Sequence, residues 1–164
     1  MATQLTAEGA QQSLTAHVEA KGIEVFLKYG PQIGWGELQR LLQDRAYVRY
    51  PCEIAFDSTE LMAGEFAYPK PNGTVPEDGF TMCVHPVFMI DLARVPALVL
   101  YHLVAVNYGE FASSDDAETF GAAALGLTRD EYYAMLCECA DQLAGPQSAS
   151  VEDAGCSGGG CGCG

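Results

Sequence analysis

The chain has 164 residues, 49% apolar and 18% charged, enough to bury the core of one domain and close to the ~150 residues usual for one. Its formal charge of −14 is uneven: residues 1–50 carry five basic and five acidic groups, residues 51–164 three and seventeen. So acidic a surface repels phosphate backbones and anionic lipid, which argues against nucleic acid and membrane surfaces as partners, and no apolar run approaches the ~20 residues of a membrane span. The polar start MATQLTAEGAQQ lacks the basic and apolar regions of a signal peptide, so the expected compartment is the cytoplasm. Seven cysteines there are expected as thiols, metal ligands or redox groups rather than structural bridges.

In chain order, residues Ala7 to Tyr29 form the first expected helix, with Leu14, Val18, Ile23, Phe26 and Leu27 approximating its apolar stripe. Gly22 would kink or divide it. Gly34-Trp35-Gly36 opens a second helix through about Arg45, which buries Leu38, Leu41 and Leu42, with Trp35 in the core. Strand alternation follows at Tyr47–Tyr50 and Cys52–Phe56, separated by Pro51, and again at Glu65–Tyr68. After a loop from Pro69 to Gly79, Phe80–His85 completes a small, mostly antiparallel sheet. Val95-Pro96 then starts a helix whose body, Ala97 to Tyr108, is apolar all round and so reads as a central core helix. Ser113-Ser114-Asp115-Asp116 caps a helix over Ala117–Ala124 that Gly126 closes. Thr128-Arg129-Asp130-Glu131 is a capping-box start for a last helix to about Leu143. This is an α+β domain over residues 1–144, followed by a linker and a Gly/Cys-rich tail over 145–164.

The segment Ile54-Ala55-Phe56-Asp57…Gly64-Glu65…Phe80-Thr81-Met82-Cys83-Val84-His85-Pro86-Val87-Phe88…Val95-Pro96-Ala97-Leu98-Val99-Leu100-Tyr101-His102 resembles the zincin-like metallopeptidases, particularly the SprT-like group. In that group a strand ending near His-Pro precedes an apolar helix carrying H-E-x-x-H. Asp115-Asp116-Ala117-Glu118-Thr119-Phe120-Gly121-Ala122 is similar to the acidic, alanine-rich helix that gives many zincins a third ligand. The likeness covers residues 50–126. The motif itself is degenerate: His102 is followed by Leu103 at the general-base position and Val106 at the second-ligand position. The resemblance therefore implies a pseudo-enzyme, with zinc metallopeptidase activity as the reading the motif disfavours. His102 reads first as a core histidine, hydrogen-bonded through one nitrogen. Cys83 and His85 share a strand face as a Cys–His pair would, and Asp115 is a further weak candidate ligand. For His85 a structural role at the strand end is favoured, and His17 reads as surface. Nucleophile-elbow, phosphate-loop and dinucleotide motifs are all missing from the sequence.

Cys52 and Cys83 lie in apolar strand settings, and one of Cys137 and Cys139 belongs to the core of the last helix. The tail differs. Cys156, Cys161 and Cys163 are separated by Ser and Gly alone, so the backbone can wrap an ion closely while the thiolates select zinc, copper(I) or an iron–sulfur cluster. Cys161-Gly162-Cys163-Gly164 resembles the C-terminal CGCG of A-type iron–sulfur carriers, over those four residues only. A fourth ligand would come from elsewhere, such as Cys83, a second subunit, a partner or the C-terminal carboxylate. The same composition also resembles the core of a ribosomally synthesised, post-translationally modified peptide, in which cysteine and serine are cyclised, and a redox tail is a third reading. The sequence thus points to a non-hydrolytic, zincin-like accessory protein with metal ligands Cys156, Cys161 and Cys163. Its partner would be a metal-transfer or tail-modifying enzyme.

Overall fold

The computed structural model describes residues 6–144. Its helices are α1 (Ala7–Tyr29), α2 (Trp35–Leu42), α3 (Val95–Tyr108), α4 (Ser114–Leu125) and α5 (Arg129–Leu143). Three strands, β1 (Cys52–Phe56), β2 (Ala67–Pro71) and β3 (Phe80–Val84), lie between α2 and α3, which makes the domain α+β. Among the described residues no helix is long and apolar enough to cross a membrane.

α1 begins where Thr6 accepts a hydrogen bond from the Gly9 N–H at 3.2 Å, and it runs unbroken through Gly22. Its buried face is Val18, Gly22 and Val25, whereas Ile23 and Leu27 of the expected stripe are 47% and 76% exposed. The cause is a close helix crossing. A Cβ on Gly22 would stand 2.7 Å from Ala123 Cβ and 2.8 Å from the Phe120 carbonyl oxygen. The helix is thus rotated to offer its smallest residue to α4, which turns Ile23 and Leu27 outward. Gly22 is a contact point rather than a kink.

α2 buries Leu38, Leu41 and Leu42 as expected, and Trp35 is half-buried, stacked on Phe56 at 5.8 Å. The helix ends at Leu42 rather than Arg45, and residues 47–50 turn instead of forming a strand. A side chain takes the place of a neighbouring strand there. The Arg49 N–H donates to Asn107 Oδ1 at 2.8 Å, and Asn107 Nδ2 donates to the Tyr47 carbonyl at 2.6 Å.

The strand order is β1-β3-β2, with β1 parallel and β2 antiparallel to β3, so the sheet is mixed rather than mostly antiparallel. The β2–β3 hairpin inserts β3 beside β1, and two adjacent strands that both lead away from the same end must then run parallel. β2 also extends beyond Tyr68 into the expected loop, through Pro69 and Pro71. The ladder tolerates them for a definite reason. The His85 N–H donates to the Phe66 carbonyl at 2.9 Å and the Asn72 N–H to the Gly79 carbonyl at 3.0 Å. With the register Ala67↔Val84 to Pro71↔Phe80, that parity directs Tyr68 and Lys70 toward β3 and Ala67, Pro69 and Pro71 away from it. Both missing donors fall on the outer edge of the sheet, which they close to strand addition.

Met82, Val84, Cys52 and Ala67 line the sheet face that meets α3. α3 buries ten of its fourteen residues, so it is the central helix that its apolar sequence implies. α4 crosses α1 and α3, and its N-terminus is held by Asp116, which is fully buried. Asp116 accepts from Gln11 Nε2 and Thr15 Oγ1 of α1, both at 2.7 Å, and from the Ser113 N–H and Oγ at 3.0 and 2.9 Å. α5 is fixed by Tyr132, whose hydroxyl donates to the Ala97 carbonyl at 2.6 Å. The ring lies directly over Gly121, where any Cβ would overlap it.

Two substitutions test these supports. Gly121→Ala should cost about 1–3 kcal/mol by overpacking against Tyr132, and Tyr132→Phe about 1 kcal/mol, both read from chemical denaturation. Burial alone would raise the Asp116 carboxyl, but the Ser113, Thr15 and Gln11 donors outweigh it and hold it below the ordinary aspartate range. Its stabilisation is therefore complete above the unfolded value near 3.9 and is lost as pH falls through the depressed native value. Asp116→Asn should lower stability by about 1–3 kcal/mol at pH 7, with the gap to the parent narrowing below about pH 4 in acid titration.

Candidate functional site

The burial of α3 leaves few of its residues facing outward. Tyr101 and His102 are half-buried and Ala105 is exposed, whereas Leu103 and Val106 are 0% and 2% exposed. Tyr101 and His102 open onto a cavity of about 280 Å³. Its other walls are Gly64–Ala67 at the start of β2, Glu118 of α4, and Tyr133, Leu136, Cys137 and Ala140 of α5. The surface is mainly apolar and aromatic.

The His102 ring packs edge-on against Phe66 at 5.5 Å and Tyr101 at 5.1 Å. It is not the enclosed core histidine expected from the sequence: the residue is half-buried and the ring borders the cavity. Burial alone pushes its pKa down to about 4, so the imidazole is neutral at physiological pH, with one nitrogen lone pair and one N–H. The positions that H-E-x-x-H would fill with a base and a second ligand hold Leu103 and Val106, both packed in the core. Two carboxylates reach the cavity wall, and both have other partners. Glu118 pairs with Arg129 at 2.8 Å, and Glu65 accepts the Met62 N–H at 2.9 Å.

The remaining candidates are dispersed. His85 accepts the Val87 N–H at 3.2 Å through Nδ1 and so caps the turn after β3, a strand-end structural role. Cys83 is 3% exposed, and burial raises its thiol pKa, with Asp57 adding to the rise. Asp115 lies on the surface in an ion pair with Arg129 at 3.0 Å. His17 is exposed, with its ring edge-on to Tyr108 at 5.8 Å. Among the described residues no three His, Cys, Asp or Glu side chains converge as a metal site. Cys156, Cys161 and Cys163 lie outside the described residues.

The thiols of the domain divide sharply. Cys52 is buried, and desolvation pushes it up to about 11. Cys139 is also buried, with Arg94 Nη1 4.0 Å from its Sγ. Of the pair on the last helix, Cys139 is the core residue. Cys137 is the only cysteine among the described residues that is not buried, and it lines the cavity that His102 lines. Sequence reasoning missed this wall of the site. Its signal was the i, i+4, i+7 spacing of Tyr133, Cys137 and Ala140 on one side of α5, a face with too little apolar bulk to read as core. No protein-family profile, curated protein or solved structure matches the chain.

The depressed pKa of His102 lies below the ~6.5 of an unfolded-chain histidine, so acid protonates the unfolded state first. Its contribution to stability is complete above about pH 6.5 and is lost as pH falls toward 4. His102→Phe should flatten the stability profile in that interval. The parent's His102 ring resonances should stay unshifted from pH 8 to about pH 5 in an NMR titration.

Proposed function

We propose that this chain is a non-hydrolytic accessory protein, a zincin-like platform that carries a soft metal ion or an iron–sulfur cluster on Cys156, Cys161 and Cys163. The observation that carries the reading is the burial of Leu103 and Val106 beside His102. Hydrolysis by a zincin needs a water-activating carboxylate and a second imidazole at those positions, and two aliphatic side chains in the core supply neither. Metal chemistry then falls to the greatest concentration of soft ligands in the chain, three cysteines within the last nine residues. Glycine and serine between them leave the backbone free to wrap an ion or approach a cluster. The acidic balance of residues 51–164 suits cation acquisition. Zinc, copper(I) and iron–sulfur clusters are the candidates, and a metal-transfer enzyme is the matching partner class.

The nine residues CSGGGCGCG also support a second reading, as the modified core of a ribosomally made peptide precursor whose partner is a tail-modifying enzyme. The two separate cleanly. Protein purified anaerobically from its source should carry zinc, copper, or iron with sulfide, and a chain ending at Ala154 should lose it. Equal metal content in the two chains contradicts the metal reading. A mass deficit in the tail, about 20 Da per azole or 2 Da per thioether, would instead establish the precursor reading.

A further inference from the structure

We propose that the pocket where the middle of α1, the turn at residues 45–49 and the end of α3 meet binds a phosphoryl group, as free phosphate or on a small ester, and holds it with Lys21, Arg45 and Arg49. The site is independent of the cysteine tail.

The distribution of charge carries the argument. The chain has eight basic side chains against 22 acidic ones, and all eight basic ones lie among the described residues. Six of them pair with carboxylates: Lys21, Lys28, Arg40, Lys70, Arg94 and Arg129. Arg45 and Arg49 are in none of the ion pairs among the described residues, and both line one pocket of about 230 Å³. Lys21 lines it too, with its Nζ 3.1 Å from Glu24 and 5.6 Å from the centre of the Tyr47 ring. No Asp or Glu side chain forms part of the wall. Asp44, on the same turn, is taken by Lys28 at 2.6 Å and by the Tyr29 hydroxyl at 2.7 Å. A molecule of net charge −14 thus gathers three of its eight cations where no carboxylate stands.

The walls are held by the fold itself. Buried Asn107 ties down both ends of the turn, accepting the Arg49 N–H at 2.8 Å and donating to the Tyr47 carbonyl at 2.6 Å. Arg45 donates through Nη1 to the carbonyls of Leu42 at 3.2 Å and Val48 at 3.3 Å, which anchors its guanidinium through one of three nitrogens. The Arg49 guanidinium lies 5.4 Å from the centre of the Tyr108 ring, and His17 meets the same ring edge-on at 5.8 Å. The positive field is felt within the pocket: burial raises the Tyr108 phenol, and Arg49 and Lys21 both act against that rise.

These cations select the ligand. Two guanidinium forks and an ammonium offer more donors than one carboxylate can accept, whereas a phosphoryl group brings three acceptor oxygens and about −1.5 to −2 charges at pH 7. The volume lies below the ~300–1,000 Å³ of pockets for drug-sized ligands, so the molecule is small. The Tyr47 and Tyr108 rings give the organic part of an ester a surface to rest on. A polyanion does not fit. It would also meet the acidic surface elsewhere, from which a small ligand is screened beyond about 8 Å at physiological ionic strength.

The test is isothermal titration calorimetry of the full chain at about pH 8, where the phosphoryl group is a dianion, with inorganic phosphate, phenyl phosphate and benzoate as probes. The parent should bind a phosphate probe at one site with a Kd of about 1 mM or tighter, and benzoate about tenfold more weakly or less well still. Arg49→Gln should weaken phosphate binding about tenfold or more and Arg49→Lys by less, while Arg40→Gln, in an ion pair outside the pocket, should leave it unchanged. Melting temperatures of the ligand-free variants separate lost binding from lost fold, and Lys21→Gln serves as a second variant at the site. Tighter binding of phenyl phosphate than of inorganic phosphate identifies an ester as the ligand, and the reverse identifies free phosphate; either upholds the site. Absence of saturable binding by both phosphate probes, binding unchanged in Arg49→Gln and Lys21→Gln, or benzoate bound as tightly as phosphate overturns the proposal.

Discussion

The Tyr132 hydroxyl reaching the Ala97 carbonyl at 2.6 Å is the contact on which the arrangement of the last three helices turns. Tyr132 is fully buried, so its hydroxyl must find an acceptor or cost about 1–3 kcal/mol. The acceptor lies near the N-terminus of α3, and the ring reaches it only because Gly121 of α4 has no side chain in the way. One hydrogen bond therefore sets α5 against α3 across α4. The cavity follows from that placement: with α5 held there, Tyr133, Leu136, Cys137 and Ala140 come to face Tyr101 and His102. Asp116 plays the corresponding part at the other end of α4, binding it to α1 through Gln11 and Thr15.

The chemistry available to the domain is limited by the same central helix. α3 gives nearly all of its surface to the core, so only the side chains at 101, 102, 105 and 108 are left to meet a ligand. These are a neutral imidazole, two tyrosines and an alanine, a set suited to packing and hydrogen bonding rather than to water activation. The carboxylates nearest them are engaged by Arg129 and by the Met62 amide.

Much of the fold was legible because its boundaries are written in local chemistry. Thr6, Ser113 with Asp116, and Thr128 with Glu131 cap the helices they precede, and Gly126 closes α4. What escaped depended on neighbours distant in sequence. Gly22 turns the stripe of α1 because Ala123 lies against it, and Asn107 keeps residues 47–50 out of the sheet from across the domain. Pro69 and Pro71 looked like loop residues, since only the pairing of β2 with β3 reveals that their missing donors fall on an open edge. His102 was legible as a residue of interest, but the cavity it lines was not, because the wall from α5 comes to face it only once Tyr132 has set that helix in place.

The central claim, proposed above, is that Cys156, Cys161 and Cys163 together hold a soft metal ion or an iron–sulfur cluster. X-ray absorption at the metal edge of the zinc-loaded full chain measures this directly, through the identity and number of the nearest scatterers. The expected shell holds at least three sulfurs at about 2.3 Å, with one fewer in Cys161→Ser. A shell of nitrogen and oxygen alone, or a sulfur count unchanged in Cys161→Ser, would contradict it.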